Sequence, residues 1–126
     1  MSPDEMLAVM RRVVEGFPPP LRDLAREVRL CVSDVAAKEV LSDLGISDPL
    51  DLTGLYEGVP LTEKSIWDGA LPPDTVWLFR QAILQEWQDR GDIDLERLVV
   101  HVTVHEFAHH FGWSDDDIAR VDTWWL

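Results

Sequence analysis

The sequence predicts one domain in which helices mix with a few short strands, and three observations carry that expectation. At 126 residues the chain is long enough for one hydrophobic core but too short for a deep cleft between two lobes. Apolar residues recur at helical spacing early, at Met6, Val9, Met10, Val13 and Val14, and again late, at Val100, Val104, Phe107 and Phe111. Between them, residues 28–34 and 75–79 are rich in the β-branched and aromatic residues that suit a pleated surface. No internal repeat, low-complexity tract or linker breaks the chain, so residues 1–126 are assigned to a single domain.

The elements follow in order. Ser2 offers a capping hydroxyl, Pro3 fits the first helical position, and Asp4 and Glu5 suit the positive end of the helix dipole, so a helix of about three turns starts here and ends before Gly16. Pro18-Pro19-Pro20 forbids its continuation. Leu21, Leu24 and Val28 suggest a short second helix running into a strand over 28–34, where Val28, Leu30 and Val32 alternate with polar or small residues and one face is buried. Ser33 or Asp34 can cap a helix over 35–44, which Gly45 stops. Residues 49–73 carry four of the eight prolines and three of the seven glycines and read as loop with one short strand at 52–56. Thr75–Phe79 is apolar on both faces, as in a strand covered from two sides. A helix over 81–89 follows, Gly91 resets the chain, and Asp92 or Asp94 caps a last helix that is apolar almost all round. The paired Trp124-Trp125 near the end is expected to pack on the core.

That last helix carries His105-Glu106-x-x-His109. Residues four apart on a helix stand one above the other, so both imidazoles can reach one metal ion, and Glu106 beside them is placed to act on water rather than on the metal. Two histidines at this spacing with a glutamate between them are costly to bury as plain core residues, and a metal accounts for them directly. Gly112 can take the left-handed conformation that ends a helix, so the chain can turn back. Asp115 could then swing beneath the histidines as a third protein ligand, leaving a fourth tetrahedral position open. The run Asp115-Asp116-Asp117 also suits the first turn of a following helix, so capping is the competing reading of Asp115.

The extended pattern, with His105, Glu106, His109, Gly112 and Asp115 written as HExxHxxGxxD, resembles that of the small bacterial zincin-like metallopeptidases. Gly54-Leu-Tyr-Glu-Gly-Val-Pro-Leu-Thr62 and Pro73-Asp-Thr-Val-Trp-Leu-Phe-Arg80 are also similar to that family, so the likeness spans the C-terminal two thirds. It implies a zincin-like α+β fold, a small mixed β-sheet packed against helices that include the one bearing the motif. It also implies zinc held by His105, His109 and Asp115, with Glu106 as catalytic acid and base. What is cut is not implied.

His101 lies one turn before His105 on nearly the same face, but histidines at i and i+8 are about 12 Å apart along a helix. One zinc cannot bind both at about 2 Å, so His101 belongs at the rim of the site. His110 lies roughly 100° around the helix from His109 and cannot share its metal. Tyr56, the only tyrosine, is a candidate to steady an oxyanion, against the plainer reading of a packed core residue. Glu106 could instead pair with Arg80 or Arg97. Cys31, the only cysteine, reads as a small core residue.

Eleven Lys and Arg against 24 Asp and Glu give a net charge of −13. That balance repels phosphate backbones and anionic membranes, which argues against nucleic acid or membrane as partner. One cysteine allows no internal disulfide. The acidic start and the lack of a long apolar run lead to the expectation of a cytoplasmic protein. The function expected is zinc-dependent hydrolysis of peptide bonds in a peptide or protein substrate, an extended peptide with basic residues being the first to try. The competing class is a non-catalytic, metal-stabilised interaction module.

Overall fold

Strand β3 (Thr75–Phe79) is the middle of the sheet, and its sequence accounts for that place. A strand covered on both faces has no need of alternation, and here Val76 and Leu78 are fully buried on one side while Phe79 is buried on the other. The computed structural model describes residues 1–58 and 74–112. Among them, β1 (Arg29–Ser33) pairs parallel with β3, from Arg29 opposite Thr75 to Ser33 opposite Phe79. Strand β2 (Gly54–Glu57) pairs antiparallel with the other edge of β3, from Gly54 opposite Leu78 to Glu57 opposite Thr75. The sheet is therefore mixed, in the order β1-β3-β2.

Helix α1 (Pro3–Gly16) begins as the sequence predicts. The Ser2 hydroxyl accepts from the Glu5 backbone N–H at 3.1 Å while the Glu5 carboxylate accepts from the Ser2 N–H at 3.1 Å, a reciprocal capping box. These contacts hold the Glu5 carboxyl below its ordinary pKa. Helix α2 (Pro19–Ala25) is one short segment beyond the prolines. Helix α3 (Lys38–Leu44) starts later than expected, because Ser33 and Asp34 do not cap it. The Ser33 hydroxyl instead donates to the Val35 carbonyl at 3.3 Å, and the cap position falls on Ala37, which has no side-chain bond to give. Its end is as expected, with Gly45 left-handed at φ 71°. A 3-10 turn (Pro49–Asp51) leads to β2. Helices α4 (Arg80–Arg90) and α5 (Leu95–Phe111) complete the described chain, separated by Gly91 at φ 69°.

The main core lies between α1, α5 and one face of the sheet, where Met6, Met10, Val13, Val99, Val104 and Phe107 are almost wholly buried. Phe17 closes one end, with its ring edge-on to Phe107 and to Phe111, both at 5.5 Å. A smaller cluster of Ala36, Leu41, Phe79 and Ala82, joined by Leu55 and Trp77, covers the opposite face. This is the expected α+β arrangement, a small mixed sheet packed against helices with the motif-bearing helix among them. Among the described residues no helix is long and apolar enough to cross a membrane.

Candidate metal and catalytic site

Helix α5 presents its motif in two directions. Its apolar residues run nearly all round, so most of its surface is buried, yet His105 is exposed and the His109 side chain is about half exposed (49%). Their ring centroids are 5.0 Å apart, as the i, i+4 spacing requires. Glu106, between them in sequence, is instead buried, at 8% exposed. At the end of the helix Gly112 is left-handed at φ 73°, and its N–H donates to the His109 carbonyl at 3.1 Å, so the helix stops where the sequence predicts.

Burial governs the chemistry of Glu106. Loss of solvent disfavours its anion and pushes its pKa up from 4.5 to about 7, against a smaller lowering from the Tyr56 backbone N–H, which donates to the carboxylate. A carboxyl poised near neutrality can both take up and release a proton, which suits acid–base work. The His109 Nδ1 lies 3.6 Å from a Glu106 oxygen, beyond hydrogen-bond reach, so Nε2 is the ring nitrogen turned away from the carboxylate. Neither arginine considered as a partner holds Glu106. Arg80 donates from Nε to the Met1 carbonyl at 2.7 Å, and Arg97 stands with Glu106 on a cavity wall without an ion pair to it.

Behind the motif lies a polar cluster that the sequence reading did not assemble. His110, 3% exposed, brings Nδ1 to 3.2 Å from an Asp74 carboxylate oxygen and 3.2 Å from the Tyr56 hydroxyl. Tyr56 thus directs its hydroxyl at His110 and is not among the residues lining the cavity described next. Asp74 gave no sign in the sequence, because only the sheet pairing brings the start of β3 beneath the end of α5.

A cavity of about 460 Å³ opens beside the motif. Helix α5 supplies Arg97, His101, His105 and Glu106 to its wall, α4 and the following turn supply Glu86, Arg90 and Asp92, and Thr53 borders it from the start of β2. His101 therefore stands at the rim, as its place one turn back predicts.

His105 and His109 provide two nitrogen donors on one exposed face, a pairing that suits zinc. Among the described residues no third His, Cys, Asp or Glu joins them to complete a metal site. The remaining predicted ligand, Asp115, lies outside the described residues, as does Trp124-Trp125.

A family model described as zincin-like metallopeptidase matches residues 25–125 of this chain. No curated protein matches it.

Proposed function

Since the chain belongs to the zincin-like metallopeptidase family, we propose that it is a zinc-dependent peptidase in which Glu106 is the general base and His105, His109 and Asp115 are the metal ligands. The observation that carries this reading is that His105, turned to solvent, and Glu106, turned inward, border one cavity beside His109. Zinc bound there supplies Lewis-acid polarisation of a carbonyl and makes water more acidic. Glu106 would take the proton of the attacking water and return it to the leaving amine, a cycle open to a carboxyl whose burial already favours holding a proton. The cavity holds the substrate chain, with His101 at its edge. A glutamate that lines an open cavity beside the two histidines gives little to a site that merely staples the fold, which supports the enzyme over the interaction module.

The test is Glu106→Gln, which keeps the shape of the side chain and both histidines. Zinc content and fold are expected to survive while peptide hydrolysis falls roughly 10²-fold or more, the scale of a lost general base. Fully zinc-loaded wild-type protein that cleaves no member of a broad peptide library, or a Glu106→Gln variant as active as its parent, would replace the peptidase reading with the interaction module.

A further inference from the structure

Building on that reading, we propose that strand β2 is the positioning element for the base: Gly54 and Tyr56 set where the Glu106 carboxylate lies, and the buried pair His110 and Asp74 anchors Tyr56. The pairing of β2 with β3 dictates the first part. The Phe79 N–H donates to the Thr53 carbonyl at 2.9 Å, so in this antiparallel ladder residues 53, 55 and 57 bond to β3 while the N–H groups of 54 and 56 point away from it. They point from the outer edge of β2 towards α5. The Tyr56 N–H reaches the Glu106 carboxylate there.

Residues 54 and 56 share one face of the strand and Gly58 follows its end, and each meets a different part of the same machinery. At Gly54 a Cβ would stand 2.8 Å from Val102 Cγ1 and 3.0 Å from Glu106 Cγ, so the bare backbone lies against the stem of the base. A strand glycine of this kind marks a close approach rather than a turn. At Tyr56 the backbone holds the carboxylate while the hydroxyl, on the same residue, is held by His110 at 3.2 Å. The same ring nitrogen, His110 Nδ1, also lies 3.2 Å from an Asp74 carboxylate oxygen, so the three groups meet at one point. At Gly58 a Cβ would fall 2.1 Å from the Asp74 carboxylate and 2.9 Å from the Tyr56 hydroxyl, so a side chain there would break the anchor. Buried polar groups that converge on one shared nitrogen resist displacement, because moving any of them leaves a buried polar group with a poorer partner. Tyr56 is thus fixed at both ends, and a base shifted by 1 Å can cost on the order of 10² in rate.

The test reads the carboxylate itself as well as the reaction. In protein labelled with carboxyl-¹³C glutamate and used as purified, the Glu106 resonance is assigned by its loss in Glu106→Gln. Tyr56→Phe, which keeps the ring and removes only the anchor, and Gly54→Ala, which pushes on the stem, are each expected to move that resonance. Leu55→Val, on the opposite face of the strand, is expected to leave it in place. Both displacing variants should lower kcat about tenfold or more at unchanged KM and unchanged zinc content. A resonance unmoved in Tyr56→Phe and in Gly54→Ala overturns the proposal, as does full kcat in both. Wild-type protein without peptidase activity would remove the enzymatic reading alone, and the resonance would still decide whether β2 sets the carboxylate.

Discussion

A single helical turn divides its side chains between water and interior, and most of the chemistry proposed here follows from that division. Glu106 gives the plainest consequence. Its pKa rises from 4.5 to about 7 on folding, so the metal-free protein should lose stability as pH climbs through that window, where the unfolded chain ionises and the folded one keeps its proton. The loss should be on the order of 3 kcal/mol, complete above pH 7 and absent below about 4.5. Denaturant melts of metal-free protein at pH 5 and pH 8 measure it, and Glu106→Gln should flatten the difference. For the ligands, His105→Ala, His109→Ala and Asp115→Ala should each strip zinc, whereas His101→Ala should keep it, because His101 and His109 are about 12 Å apart along the helix. Elemental analysis that finds metal lost in His101→Ala and kept in Asp115→Ala would reverse the assignment. At this scale the spacing of His105, Glu106 and His109 made the motif readable. Tyr56, His110 and Asp74 were not readable as a group, since their meeting depends on strand pairing and not on spacing along the chain.

Elements were legible where local chemistry alone sets their limits. The Ser2 cap and the glycine stops at Gly45, Gly91 and Gly112 fall where the sequence places them, whereas α1 runs on through Gly16 until the prolines break it. Helix α3 shows the opposite case: Ser33 is the last residue of a strand paired with β3 and Asp34 follows directly after it, so the strand's end overrode their capping preference. Gly91 allows a clean test of backbone strain, because a Cβ there meets nothing within 4 Å while φ is +69°. Gly91→Ala should therefore cost about 1 kcal/mol from conformation alone, with no change in metal content, and Gly91→Asn should recover part of it. Equilibrium unfolding of the two variants checks both. Phe107→Ala should cost far more, roughly 3–5 kcal/mol, since the ring is wholly buried and packs against Phe17 and Phe111.

Across the whole molecule, the division of the core into two clusters depends on β3, and that is the part of the fold the sequence showed least directly. The apolar character of both faces of residues 75–79 announced a covered strand, but neither the parallel partner β1 nor the antiparallel partner β2 could be read from composition. The net charge of −13 is likewise a global property, and it opposes compaction by self-repulsion. A bound divalent cation would relieve part of it and add its own binding free energy to folding. Chelation is accordingly expected to lower the melting temperature, and more at low ionic strength than at high, where the charges are screened. Equal melting temperatures with and without metal would remove zinc from the stability of the fold.

The outward histidines and the inward glutamate also bear on the order in which the protein is completed. Glu106 is seated by contacts among α5, Gly54 and Tyr56, all of them made by the chain itself. His105 and His109 face solvent. The base can therefore be in place before any metal arrives, since the contacts that seat it are made without one. Stripped protein should accordingly keep the contacts between β2 and α5, with amide exchange at Tyr56 as slow as in the loaded protein.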